Sequence, residues 1–289
     1  MLFLNYEASS KDLLGTPIRR VLPTAKKRMM GHFIFLDHMG PVRFPADKSS
    51  SLTSHPHIGL ATLTYLFEGQ LHHRDSLGTS QIIKPGDVNW MIAGRGISHS
   101  EHGVQEESSD NSLHGLQFWM ALPDEEEDSP AQFHHLKKEV IPETNSGGFK
   151  ITEIVGLASP VPASKESTLL VLESKAAANW NSNIKNQELA VYIIEGSVAI
   201  NGQMFKKNHV ALYSPDSSIQ IETLEKSLLV VFGGRAYQGI SGQKEKHIFW
   251  NFVSSSKEKI RNAVLNWNSG NFPMVPGATE RILSPEFKR

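Results

Sequence analysis

Ser54-His55-Pro56-His57-Ile58-Gly59-Leu60-Ala61-Thr62-Leu63-Thr64-Tyr65-Leu66-Phe67-Glu68-Gly69, "SHPHIGLATLTYLFEG", carries two signals. Its second half is a short apolar run closed by a Glu-Gly turn, which has the length and punctuation of a β-strand. Its first half sets two histidines two residues apart around a proline. Residues i and i+2 share a face in a strand, so His55 and His57 project together. Pro56 holds His55 toward extended backbone, because the α region is disfavoured before proline. A His-x-His pair in isolation carries little weight.

A second cluster, "ISHSEHG", places His99 and Glu101 at the same spacing, followed by His102. If the two strands are neighbours in one barrel, three imidazoles and a carboxylate converge. That donor set suits Fe(II), Mn, Co, Ni, Cu or Zn and leaves positions open for water, oxygen or substrate. The chain has no cysteine. Disulfides, thiolate nucleophiles and Cys-ligated metal sites are therefore excluded, and any metal rests on His, Asp, Glu or backbone oxygen.

Outward from these clusters the texture repeats. "HFIFLDHMGP", "QIIKPGDVNWMIAGRG", "HGLQFWMALP" and "TLLVLES" are strand-length apolar runs set off by Gly, Pro, Asn and Asp. Their regular spacing predicts an all-β fold of the sandwich or barrel type. One helix is expected, in "SSSKEKIRNAVLNWNSG". Ile260, Ala263, Val264 and Trp267 form its apolar stripe, Ser255 with Glu258 its capping box, and Gly270 its stop.

Tyr65-Leu66-Phe67-Glu68-Gly69 is echoed by Tyr192-Ile193-Ile194-Glu195-Gly196, and a Pro turn follows each (Pro85-Gly86-Asp87 and Pro215-Asp216). The echo predicts two related β domains, residues 1–134 and 145–289, with the helix in the second and a linker at 135–144. The length of 289 residues suits two cores. The acidic run Asp124 to Asp128 is expected to be a solvated loop or a domain edge, since clustered like charge resists burial.

Other histidines weigh less. His72 and His73 precede the turn "RDSLG" and are expected at the surface, as are His134 and His135. His114 lies on an apolar strand and is expected to be a hydrogen-bonded core residue. Gly94-Arg95-Gly96 follows no βα pattern, and a tight turn that sets up His99 is the simpler reading than a phosphate loop. Hydrophobic content of 39% and a net charge of -1 describe an ordinary soluble chain with no global pull toward nucleic acid or anionic membrane. No segment approaches the roughly 18–20 apolar residues of a membrane span, and "MLFLNYEASSKD" lacks the basic and long apolar regions of a signal peptide. A cytoplasmic protein is expected, with the nucleus an alternative in a eukaryote.

"HPHIGLATLTYLFEGQLHHRDSLG", "PGDVNWMIAGRGISHSE" and "LHGLQFWMALP", with "GTPIRRVLP" and "FLDHMGP" upstream, resemble the pirin family of the cupin superfamily. The resemblance is dense from about residue 15 to 135 and thinner through "FGGRAYQGI" and the helix. It implies a bicupin: two antiparallel β-barrels (jelly-roll type) joined by a short linker, with a short C-terminal helix and one metal in the N-terminal barrel. The family's ligands map onto His55, His57, His99 and Glu101. It further implies one divalent transition metal, Fe(II) first, with Mn, Ni, Co, Cu or Zn as alternatives.

By that resemblance the chain is a quercetin 2,3-dioxygenase-like oxidoreductase. It would open a small aromatic chelating substrate of the flavonol class with O2, with Glu101 doubling as ligand and base. The alternative is a non-enzymatic, metal-dependent protein-binding regulator, transcriptional or metabolic. A monomer with no direct nucleic-acid or membrane binding is expected.

Three departures from the family pattern stand out. Ile58 replaces the usual Arg and Ala61 the usual Glu of H-P-H-R-G-x-E-T, and His102-Gly103 replaces Met-Pro after the glutamate. In the second copy Ser182, Ile184 and Lys226 fall opposite His55, His57 and His99, so that domain is expected to hold no metal by this route.

Overall fold

A computed structural model of the protein describes residues 1–45, 47–104, 111–237 and 243–287. The short apolar runs form strands nearly throughout. In chain order the first twelve are β1 (Leu2–Glu7), β2 (Ser9–Leu13), β3 (Thr16–Leu22), β4 (Phe33–Arg43), β5 (Ser51–His57), β6 (Leu60–Glu68), β7 (Leu71–Asp75), β8 (Ser80–Ile83), β9 (Val88–Ile92), β10 (Ile97–Gly103), β11 (Ser112–Ala121) and β12 (Gln132–Leu136). There follow β13 (Glu143–Ser146), β14 (Phe149–Val155), β15 (Ser167–Ser174), β16 (Ala178–Asn181), β17 (Glu188–Glu195), β18 (Ser197–Ile200), β19 (Gln203–Lys206), β20 (His209–Tyr213), β21 (Gln220–Thr223), β22 (Ser227–Gly234), β23 (His247–Phe249), β24 (Phe252–Ser254) and the helix α1 (Lys257–Ser269).

These elements gather into two compact units. Lys11–Ile18, Asp37–Lys138 and Gly242–Arg289 make one, here the site unit; Met1–Ser10, Arg19–Leu36 and Glu139–Ser241 make the companion unit. The companion unit has a seven-stranded sheet, β1-β20-β17-β22-β15-β14-β13, and a four-stranded one, β16-β21-β18-β19. Val191 and Ile193 of the larger sheet share one apolar core with Val198, Phe205 and Ile221 of the smaller. In the site unit the smaller sheet runs β5-β10-β7-β8; the larger runs β12-β9-β6-β11-β4-β3-β2, and the chain passes between the units within its last three strands. Leu66 and Leu113 of the larger sheet pack with Leu71 and Ile83 of the smaller.

The echoed segments occupy matching places: β6 lies between β9 and β11, and β17 lies between β20 and β22. Each ends on a glycine at positive φ, Gly69 at 79° and Gly196 at 84°. A Cβ on Gly69 would fall 1.9 Å from the Ser112 carbonyl oxygen, so the turn requires glycine there.

The expectation of two closed β-barrels is corrected by the strand orders. Each is linear and ends on two edges: β12 and β2, β5 and β8, β1 and β13, β16 and β19. Closure needs an unbroken hydrogen-bond ladder around the circumference. Here the ladder stops at every edge, and the two sheets of a unit meet through side chains, as in a sandwich.

The division also differs from the boundaries drawn on the sequence. Residues 242–289, with α1, group with the site unit, and the crossing lies between Lys138 and Glu139. The reason lies at β5, an edge strand, where Pro56 is tolerated because an edge can spare an N–H. The C-terminal segment pairs with it at two points. Phe252 bridges Ile58 and Arg281 bridges Ser54, both in parallel. The Val253 N–H donates to the Ile58 carbonyl at 3.1 Å and the Ile282 N–H donates to the Ser54 carbonyl at 2.9 Å. His55-Pro56-His57 is thus pinned at both ends.

Helix α1 buries the expected stripe, Ile260, Ala263, Val264 and Trp267, and stops at Gly270 in the left-handed region. The stripe packs against Ile58, Phe252 and Phe272. Its N-cap is Ser256, whose hydroxyl accepts the Lys259 N–H. The sequence places the cap one residue earlier, but Ser255 is engaged elsewhere: its N–H donates to Glu127 Oε1 at 2.7 Å and its hydroxyl to Oε2 at 3.2 Å. Glu127 corrects the reading of the acidic run as a uniformly solvated loop. Its carboxylate is only 3% exposed and also accepts from Ser254 Oγ at 2.8 Å. The fully buried ammonium of Lys246 donates to it and, at 2.7 Å, to Asp124 Oδ1.

Among the described residues, no helix is long and apolar enough to cross a membrane. Removing one partner of a buried ion pair strands the other without compensation. Lys246→Met is therefore expected to lower the stability of the site unit by about 3–5 kcal/mol in chemical denaturation.

Candidate metal centre

β5 and β10 are antiparallel neighbours, with His57 opposite Ile97 and His55 opposite His99. A register shift between His99 and Glu101 marks an irregularity beside the histidines, a common device for re-aiming side chains at a site. The ligand atoms of His55, His57 and His99 all lie within 4.8 Å of one another, and all three residues are buried. The Nε2 atoms of His57 and His99 are 3.1 Å apart.

Backbone carbonyls fix two of the tautomers. Nδ1 of His55 lies 2.9 Å from the Thr53 oxygen, and Nδ1 of His57 lies 3.2 Å from the Asn251 oxygen. A carbonyl only accepts, so each Nδ1 carries the proton and each Nε2 keeps its lone pair. The lone pair of His57 Nε2 faces His99 Nε2 across 3.1 Å, a separation that suits a shared cation: ligand nitrogens about 2.0–2.1 Å from one metal sit roughly 2.9–3.4 Å apart. The donor set fits a divalent transition metal.

Glu101, the fourth expected ligand, groups with His99 and His73 in a second triad of buried donors. The Thr64 hydroxyl lies 3.3 Å from Glu101 Oε1 and 2.9 Å from Gln117 Oε1. His73 overturns its expected surface position. It is 2% exposed, with Nδ1 3.3 Å from His99 Nδ1 and Nε2 3.1 Å from Asp75 Oδ2. The signal was present in "LHHRD": Leu71, His73 and Asp75 alternate inward along β7, while His72 and Arg74 are only partly buried.

Other sequence candidates fall outside this cluster. Half-buried His72 contacts Ser80 Oγ at 2.8 Å, and His102 contacts Ser51 Oγ at 3.0 Å. His134 and His135 are half-buried on β12, with His135 Nδ1 2.7 Å from Asn89 Oδ1. His114 is a core residue, its Nε2 2.9 Å from that of His38. Gly94-Arg95 forms a turn directly before β10. In the companion unit, Ile184 packs on the apolar core.

The pirin family profile matches residues 15–120, and that of the pirin C-terminal cupin domain matches residues 160–273. A Pirin-like protein of Caulobacter vibrioides is 38% identical over 283 residues, 95% of this chain and 96% of that protein. The chain belongs to the pirin family. Human Pirin is 28% identical, with 89% of this chain and 88% of that protein covered. The crystal structure of quercetin 2,3-dioxygenase from Acinetobacter baumannii matches with a TM-score of 0.90 at 29% identity, over 99% of this chain and 96% of that one.

Against the pirin pattern, the departure at Ile58 has a structural account. Ile58 is 7% exposed and belongs to the apolar cluster that seats α1. An arginine there would bring a charge into that cluster. Ile58→Arg is expected to destabilise the protein by about 3 kcal/mol or more and to speed protease cleavage within residues 247–287, read by limited proteolysis and mass spectrometry.

Burial dominates the electrostatics. It pushes His55 down to about 4, against a weaker upward pull from its bond to the Thr53 carbonyl. Burial first, and neighbouring imidazoles second, hold His57 and His99 well below the ordinary histidine range. Burial raises the Glu101 carboxyl. Unfolded histidines protonate near pH 6.5, so on acidification the unfolded chain takes up protons that the folded imidazoles refuse.

Their contribution to stability is full above about pH 6.5 and is lost as pH falls toward about 4. Glu101 works in the opposite sense, but it is one carboxyl against three imidazoles. The urea midpoint of metal-free protein is expected to fall between about pH 7 and about pH 5; a flat profile would contradict this.

Proposed function

We propose that this chain is a metal-dependent oxidoreductase, with Fe(II) as its metal, that opens flavonols of the quercetin type with O2. The observation that carries the reading is the convergence of three buried imidazoles, two of them facing across 3.1 Å, beside a buried carboxylate. The likeness to a quercetin 2,3-dioxygenase over nearly the whole chain supports it. His55, His57, His99 and Glu101 would hold the metal. When bound, the ion supplies a Lewis-acidic, redox-active centre for a chelating oxygen and for O2.

The chain's own groups do the rest. Glu101 accepts the proton of the flavonol 3-hydroxyl on its carboxylate, and its raised affinity for protons suits it to that role. The Thr64 hydroxyl steadies Glu101 through Oε1. Trp119 stands edge-on to His57, with ring centroids 5.1 Å apart, and offers an aromatic wall to a planar substrate. Two features that bear on a protein-binding role, Ile58 and the acidic run, are at least partly engaged inside the unit: Ile58 under α1 and Glu127 with Lys246.

The test is quercetin turnover by Fe(II)-loaded protein with and without oxygen. Oxygen-dependent loss of flavonol absorbance is expected, reduced more than about a hundredfold in His57→Ala. No such loss with Fe, Mn, Co, Ni, Cu or Zn would sink the reading.

A further inference from the structure

We propose that His73 and Asp75 are a positioning pair that sets the tautomer of His99 and aims its Nε2 at the metal. This rests on the metal-site reading above and adds two residues outside the expected ligand set. On the ladder between β7 and β10, Asp75 lies opposite His99 and His73 opposite Glu101. Asp75 is fully buried. Its Oδ1 accepts the N–H groups of Leu77 at 2.9 Å and Thr79 at 3.1 Å, which leaves Oδ2 for His73 at 3.1 Å. Phe133 stacks on the His73 ring, with centroids 4.5 Å apart and planes 22° apart, and fixes its orientation.

The polarity then propagates from one carboxylate. An ionised carboxylate only accepts, so His73 Nε2 donates. In a neutral imidazole its Nδ1 is then an acceptor, and it faces His99 Nδ1 at 3.3 Å. His99 Nδ1 must therefore donate, which leaves the lone pair on Nε2, the atom that faces His57 Nε2. His55 and His57 take the same polarity from carbonyls; His99 takes it from Asp75 through His73. Outer hydrogen bonds of this kind orient metal-bound imidazoles and raise their basicity.

The experiment compares wild type, Asp75→Asn, His73→Phe and His57→Ala. In Asp75→Asn the amide oxygen must still serve Leu77 and Thr79, so the amide NH2 faces His73 and inverts the chain. His73→Phe keeps the stack on Phe133 and removes the hydrogen bonds. Long-range 1H–15N spectra of the metal-free protein are expected to show His99 protonated at Nδ1 in wild type and at Nε2 in Asp75→Asn. Co(II) titration is expected to show affinity roughly 10–100-fold weaker in both variants, with a shifted visible ligand-field spectrum and unchanged near-ultraviolet circular dichroism.

An unchanged His99 tautomer in Asp75→Asn, or unchanged Co(II) affinity and spectrum in His73→Phe while His57→Ala loses the metal, overturns the pair and leaves the metal site standing. Wild type without Co(II) affinity, or His57→Ala binding as wild type, overturns both.

Discussion

The free edge of β5 is the constraint on which the rest of this structure depends. An edge strand offers unpaired backbone groups and a backbone free to shift. Here that strand carries two of the three converging histidines. The C-terminal segment pairs with it at Ser54 and at Ile58, on either side of His55 and His57. Between those two clamps the Asn251 carbonyl sets the tautomer of His57. Helix α1 is the anchor that makes this pairing stable, because its apolar stripe has Ile58 and Phe252 to bury against. Packing, backbone pairing and imidazole polarity therefore form one chain of cause.

The electrostatics follow from the same enclosure. Burial disfavours charge on each donor, so the imidazoles stay neutral and the carboxyl holds its proton more tightly. A divalent cation reverses that balance, since it attracts neutral lone pairs and favours the ionised carboxylate. The same low-polarity surroundings that raise the penalty for an isolated charge strengthen each bond to a cation. A hydroxyl from Thr64 and a relay through His73 then supply direction as well as affinity.

Much of this is legible in the sequence, and the parts that are not share a physical reason. Alternation along a strand brings His55 with His57 and His99 with Glu101 on shared faces. The stripe Ile260, Ala263, Val264, Trp267 and the stop at Gly270 follow from local periodicity alone. The Glu-Gly echo of Glu68-Gly69 and Glu195-Gly196 marks matching strands. His73 was also within reach, because "LHHRD" alternates, yet its neighbour His72 and the following turn disguise it as a surface pair. What no local pattern encodes is which distant segment completes an edge. That is why α1 reads as part of the second domain, why Glu127 reads as one more solvated acid, and why open sheets read as closed barrels. Ile58 was the one local clue, an apolar residue where the pirin pattern has a charge.

The bond between His57 and Asn251 joins residues 194 positions apart. During synthesis the strand bearing His55 and His57 leaves the ribosome long before the segment that fixes it. The Glu139–Ser241 part of the companion unit is made in between, and domains tend to fold in the order in which they emerge. The strand bearing His55 and His57 therefore keeps one edge uncovered until the segment carrying Asn251 and Phe252 has been translated. Ordering of the His55–His57 strand is thus a late event in the life of the molecule, set by when its C-terminal clamp is made.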